Sequence, residues 1–346
     1  MSELNPITEL PLPVAAAAVP APGEPIDQAS WNERKRDAVL PNGIRLSYVE
    51  IGDPEGAPLL LLHGYTDSSR VWTILAPWLA GHRILIPDQR GHGASDAPES
   101  RYAMADFAAD ARLLLDVVGV GRAAVVGHSM GSIVAQRLAA EHPDRVSRLV
   151  LIGSTALAPV RRGDELWTAI MHLREPIADN QEFLRQWGPE SSPTPVDPAL
   201  SAYYEPEIAA TPARVWRAVI RELADVPAGQ RAADVAAPVL ILSGGRDDLF
   251  PDEHHRSLIS AYPGAEAHVF ADLGHNLILE RPEVVGPVLA AFLAGTATGN
   301  NRNNFSLFVV TPGHRARLMQ RQPPARARPP PPPPAPPAAG PLGARR

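Results

Sequence analysis

The chain has no cysteine in its 346 residues. That excludes disulfides, thiolate nucleophiles and cysteine-held zinc or iron–sulfur centres. Lysine is nearly absent too: Lys35 is the only one, and every other basic side chain is arginine. No apolar run reaches the roughly 18 residues a membrane helix needs, so no membrane partner is expected. Glu9 precedes any basic residue, and Pro11, Pro13, Pro20 and Pro22 break the N-terminal apolar stretch. This is unlike a secretory signal, and the expected location is cytoplasmic. The net charge is −6, yet residues 301–346 carry eight arginines and no acid, which leaves the first 300 residues near −14. So acidic a body argues against nucleic acid as a partner.

What is present centres on residues 122–141. The apolar run Ala123 to Val126 leads into Gly127-His128-Ser129-Met130-Gly131, followed by Ile133, Val134 and Leu138 at helical spacing. A strand, a sharp turn and a helix are expected, with the turn carrying the Gly-x-Ser-x-Gly nucleophile-elbow pattern. A serine at so tight a turn needs neighbours without Cβ two residues to either side. Its hydroxyl would sit at a helix N-terminus, where backbone N–H groups favour developing negative charge.

Around this stretch, short apolar runs alternate with helical patterns. Besides the strand that enters the elbow, others are expected at 44–51, 58–62, 83–87, 148–152, 238–243 and 267–270, with Leu40-Pro41-Asn42-Gly43 as a turn between the first of them and one more strand before it. Helices are expected around Val71 to Leu79, and over 104–118, 252–261 and 284–293. The rhythm implies βα units and a parallel sheet. Residues 155–230 break it with helical fragments and Trp167, Phe183, Trp187, Tyr203, Tyr204 and Trp216. Such an insertion reads as a helical cap walling an apolar pocket, with His63, Trp167, Trp187 and Trp216 as lining candidates. The domain organisation expected is a disordered Pro/Ala-rich arm over 1–37, one α/β domain over 38–296, and a disordered Arg/Pro-rich tail over 297–346.

A serine hydroxyl needs a base to take its proton, and a histidine base needs a carboxylate to orient it. In doubly wound sheets such groups collect at the carboxyl ends of strands. Of the eleven histidines, His275 follows the last of these strands in a Gly-His-Asn loop. His63 and His92 occupy strand-end loops as well, but His63 heads a candidate oxyanion loop and His92 lies between glycines. Asp247 and Asp248 both follow strand 238–243. The loop Gly-Arg-Asp-Asp-Leu-Phe-Pro favours Asp248, with Asp247 left as a solvated or capping residue. The oxyanion hole should combine the backbone N–H groups of Tyr65 and Met130.

Ser129, Asp248 and His275 in this chain order resemble the α/β-hydrolase superfamily. So do His63-Gly64-Tyr65, Asp88-Gln89-Arg90-Gly91-His92-Gly93-Ala94-Ser95, and His275 followed by Glu280-Arg281-Pro282. The resemblance spans about 40–295. It implies an eight-stranded, mostly parallel doubly wound sheet with a cap after the sixth strand. It also implies hydrolysis without cofactor or metal, through an acyl-enzyme. Haloalkane dehalogenases and epoxide hydrolases of this fold carry aspartate at the elbow, whereas Ser129 suits attack on a carbonyl. The expected function is hydrolysis of a carboxylic ester of a small to medium apolar substrate. Carbon–carbon cleavage of a ring-fission product and lactone opening use the same triad and are the alternatives, although Tyr65-Thr66-Asp67-Ser68-Ser69 departs from the Gly/Asn-rich oxyanion loop usual in the former. A non-catalytic ligand-binding protein of this fold is the reading from another class.

Overall fold

A computed structural model describes residues 21–188, 191–226 and 231–295, and the backbone of 307–310. In chain order the strands are β1 (Lys35–Val39), β2 (Arg45–Gly52), β3 (Ala57–Leu62), β4 (His82–Pro87), β5 (Ala123–His128), β6 (Val146–Ile152), β7 (Val239–Gly244), β8 (Glu266–Phe270) and β9 (Leu307–Val310). The helices are α1 (Met104–Val117), α2 (Met130–Glu141), α3 (Glu165–Met171), α4 (Gln181–Trp187), α5 (Pro198–Ala210), α6 (Ala213–Ala224), α7 (Asp252–Ala261), α8 (Leu277–Glu280) and α9 (Pro282–Leu293). All the strands join one sheet in the order β1-β2-β4-β3-β5-β6-β7-β8-β9. β1 pairs antiparallel with β2, and β2 with β4; from β4 onward every pairing is parallel. The eight expected strands are all present, and β9 adds a ninth at the edge.

The continuous apolar runs follow from parallel strands covered on both faces. Leu59 and Leu61 of β3, Val126 of β5, Val150 of β6 and Leu242 of β7 share one core with Trp72 and the closing helices α8 and α9. Their neighbours Leu60, Leu62, Val125, Leu151 and Ile241 face the other side, against α1, α2 and α7. The period of two divides each run between two cores.

Between β6 and β7 the chain forms α3 to α6. In α5, Leu200, Tyr204 and Ile208 are buried at four-residue spacing. In α6, Val215, Trp216, Val219, Ile220 and Leu223 are buried, while Arg214, Arg217 and Arg221 lie on the opposite side. Each helix thus presents one apolar stripe inward.

Three expectations need correction. Order begins well before residue 38: a 3₁₀ turn spans Trp31–Arg34 and runs into β1. Trp31 is fully buried and its indole N–H donates to Ser69 Oγ at 3.3 Å. Gln28 donates to Thr73 Oγ1 at 2.7 Å, and Lys35, the one lysine, lies 2.8 Å from the buried Asp88 carboxylate. Pro/Ala composition hid a segment held by one tryptophan and one lysine; residues 1–20 lie outside the described residues. The helix expected at Val71 to Leu79 is instead two 3₁₀ turns, Ser69–Trp72 and Ala76–Leu79. Pro77 has no N–H to continue an α-helix here. Finally, Leu307–Val310 of the expected tail pairs parallel with β8. Its apolar, β-branched residues suit a strand, but Asn- and Arg-rich flanks masked so short a run. Residues 311–346 lie outside the described residues.

Burying so large a ring predicts that Trp31→Ala lowers the unfolding free energy by about 3–5 kcal/mol. Urea denaturation checks this, and a loss below about 1 kcal/mol would show that the segment is not part of the core.

Candidate active site

The turn between β5 and α2 is as tight as its sequence implies. Ser129 has φ +50° and ψ −121°, a conformation non-glycine residues rarely adopt. A Cβ on Gly127 would meet Gly131 O at 2.3 Å, and one on Gly131 would meet Leu62 O at 2.2 Å. Both glycines are therefore sterically required.

The hydroxyl this turn presents lies 2.9 Å from His275 Nε2. His275 follows β8, and its Nδ1 lies 2.9 Å from Asp247 Oδ2. The carboxylate beside the histidine is therefore Asp247, not Asp248, and this corrects the sequence reading. The reason lies in the loop after β7. Gly245 and Arg246 donate their N–H groups to Phe270 O and Leu273 O at 2.8 Å, so the chain still follows β8 there. It turns at Asp247, whose Oδ1 accepts the Phe250 N–H at 2.8 Å. That bond holds the carboxylate inward while Asp248, the next residue, is exposed. Loop spacing cannot distinguish two adjacent aspartates; the hydrogen bond to Phe250 N–H does.

Burial alone would lower the pKa of His275, but the Asp247 charge and hydrogen bond outweigh it and hold the imidazole above its usual 6.5. Burial likewise opposes ionisation of Asp247, and His275 together with the Phe250 N–H keeps it below the usual carboxylate range. The pair is set up as a carboxylate beside a readily charged imidazole.

The loop after β3 is fixed from two sides. The Gln89 N–H reaches His63 Nε2 at 2.9 Å, so that nitrogen is the acceptor and the proton sits on Nδ1. His63 Nδ1–H then donates to Gly64 O at 2.8 Å. In a trans peptide C=O and N–H point opposite ways, so this bond turns the Tyr65 N–H to the other side. The Tyr65 and Met130 N–H groups have no hydrogen-bond acceptor among the described residues.

A cavity of about 290 Å³ opens over Ser129 and His275. Of the predicted wall residues, Trp187 and Trp216 line it, together with Tyr65 and Met130. His63 does not: it is fully buried behind the loop, where burial keeps it neutral. Trp167 does not either; its ring lies 5.1 Å under the Arg162 guanidinium and packs on the core edge. Among the wall residues that escaped the sequence reading as site residues, three bear on the geometry. Phe250 sets its ring edge-on to His275 at 5.0 Å. Asp67 and Tyr204 meet through a hydrogen bond inside the cavity wall. Asp67 sits two residues after Tyr65 and its position in the loop was the available signal; nothing in the sequence pairs it with Tyr204, 137 residues away.

The doubly wound sheet and the catalytic-type constellation on its strand ends define a hydrolase. The chain belongs to the alpha/beta hydrolase fold family, whose model matches residues 57–282. It is similar to 2-hydroxymuconate semialdehyde hydrolase of Pseudomonas sp. CF600, with 28% identity over 268 residues covering 74% of this chain and 93% of that one. Epoxide hydrolase A of Mycobacterium tuberculosis is 38% identical over 153 residues, covering 40% of this chain and 47% of that protein. Among solved structures, the enol-lactonase from Burkholderia xenovorans matches with a TM-score of 0.67 and 25% identity, over 75% of this chain and all of that one. No helix among the described residues is long and apolar enough to cross a membrane.

Because His275 must be neutral to accept a proton, its raised pKa predicts that kcat/KM falls as pH drops, with an acid limb above pH 6.5. Asp247→Asn should move that limb downward and lower kcat by about 10³–10⁴-fold. Asp248→Asn should stay within about threefold of wild type. A pH–rate profile of the two variants checks the assignment; the opposite ranking would restore Asp248.

Proposed function

We propose that the protein is a serine hydrolase that cleaves neutral carboxylic esters through an acyl-enzyme. The observation that carries this reading is the pair of 2.9 Å hydrogen bonds joining Ser129 Oγ to His275 and His275 to Asp247. Ser129 Oγ attacks the ester carbonyl as His275 Nε2 takes its proton, and Asp247 stabilises the imidazolium that forms. The Tyr65 and Met130 N–H groups hold the oxyanion, and His275 returns the proton to the departing alcohol. A water molecule, deprotonated by His275, then releases the acid and regenerates Ser129.

Serine at the elbow argues against carrying over the activity named for the epoxide hydrolase, because a carbonyl, not an sp³ carbon, is the electrophile that suits this nucleophile. The charge of the cavity bears on the remaining choice. Its wall includes the carboxylates of Asp67, Glu165 and Asp248, and no lysine or arginine among the described residues. A carboxylate on the substrate would meet like charge with no lysine or arginine of the described wall to offset it. That disfavours acidic ring-fission products and favours uncharged esters. The volume, near the lower end for small-molecule sites, suits short acyl chains.

Ser129→Ala should reduce p-nitrophenyl butyrate turnover by several orders of magnitude. Turnover unchanged by that substitution would end the enzyme reading at this site. Wild-type kcat/KM should be at least about tenfold higher for p-nitrophenyl butyrate than for mono-p-nitrophenyl glutarate, a decade per about 1.4 kcal/mol of discrimination. Equal or reversed values would overturn the preference for neutral substrates, as would efficient cleavage of an anionic dienone.

A further inference from the structure

Asp67 is a buried carboxylate beside the nucleophile that the triad chemistry does not use. Its Oδ2 accepts the Gly64 N–H at 3.0 Å and its Oδ1 accepts the Tyr204 hydroxyl of α5. His128 Nδ1, on the residue before Ser129, lies 3.7 Å from Oδ2 and has no hydrogen-bond partner among the described residues. The approach to Gly64 is close enough that a Cβ there would lie 2.6 Å from Oδ2. The Gly64–Tyr65 peptide is thus gripped from both ends: His63 holds its carbonyl, and Asp67 holds the preceding N–H.

A second link also docks α5 onto this loop. One turn further along the helix, Glu207 accepts from Arg70 Nη2 and Nε at 2.6 and 2.9 Å and from Ser68 Oγ at 2.5 Å. That ion pair sits outside the cavity wall, whereas Asp67 and Tyr204 are in it. Two adjacent links therefore differ in what they touch. One fastens the helix; the other ends on the backbone of the oxyanion loop.

We propose that Asp67 is a positioning residue that aligns the Tyr65 N–H for the oxyanion by holding Gly64, and that Tyr204 of the helical insertion sets Asp67 in turn. This rests on the ester-hydrolase reading above. A substrate that seats against Tyr204 thereby also seats the oxyanion donor, so packing of the insertion is transmitted to the rate of acyl transfer.

The test is kcat and KM for p-nitrophenyl acetate, with kcat divided by the concentration of sites titrated by a fluorophosphonate, so that misfolded protein drops out. Asp67→Ala should lower kcat per site by about ten- to a hundredfold, somewhat less than removing an oxyanion donor outright. KM should stay within about twofold. Tyr204→Phe, which keeps the ring and so the fold, should lower kcat per site by a smaller factor, and the double variant should match Asp67→Ala alone. Glu207→Ala should lower the melting temperature and leave kcat per site intact. Unchanged kcat per site in Asp67→Ala or in Tyr204→Phe, multiplied losses in the double variant, or an equal kcat loss in Glu207→Ala would each overturn the coupling. Turnover surviving in Ser129→Ala overturns the ester-hydrolase reading and this one with it. An inactive Ser129→Ala beside a wild-type-like Asp67→Ala overturns the coupling alone.

Discussion

The constraint on which the rest depends is the backbone of Ser129, held at φ +50° between β5 and α2. Such a conformation persists only where its surroundings over-determine it. Here they do so by close contact: Gly131 lies against the carbonyls of Leu62 and His63, and Gly127 against Gly131. The end of β3 is thereby pressed onto the start of α2. That brings the loop after β3 beside Ser129 and puts an open helix N-terminus on its other side. Two buried cores, one on each face of the sheet, keep β3 and β5 in that register.

Upon this turn the polar groups are arranged by hydrogen bonds that each fix one orientation. Asp247 is committed by Phe250 N–H before it meets His275, and His63 is committed by Gln89 N–H before it meets Gly64. Gly153, at φ +51°, lets His275 come close; a Cβ there would lie 3.1 Å from its carbonyl. The geometry around Ser129 and His275 is thus set by a surrounding layer of hydrogen bonds. This is what a preorganised site requires, because donors that are already aimed cost no reorganisation during the reaction.

Much of this was legible in the chain. Short continuous apolar runs and the Gly-x-Ser-x-Gly turn located the strands, the elbow and the helix after it, since both depend on residues close in sequence. His275 was legible too, as a histidine on a strand-end loop. The buried segment around Trp31 was not, because a Pro/Ala-rich composition says nothing of what a single tryptophan finds across the fold. Nor was the short strand Leu307–Val310, whose pairing with β8 is a long-range event.

The sequence by itself determined the backbone of the turn that presents Ser129, because its requirement for two glycines around one serine is local and steric. It also determined the doubly wound class of the fold, because burial on both faces writes itself into each strand. Only the tertiary structure decided between Asp247 and Asp248, separated by one residue and distinguished by the Phe250 N–H. It alone removed His63 and Trp167 from the cavity wall and put Asp67 and Tyr204 there. Those choices depend on which side chain faces which neighbour from distant elements, and local spacing carries no information about that.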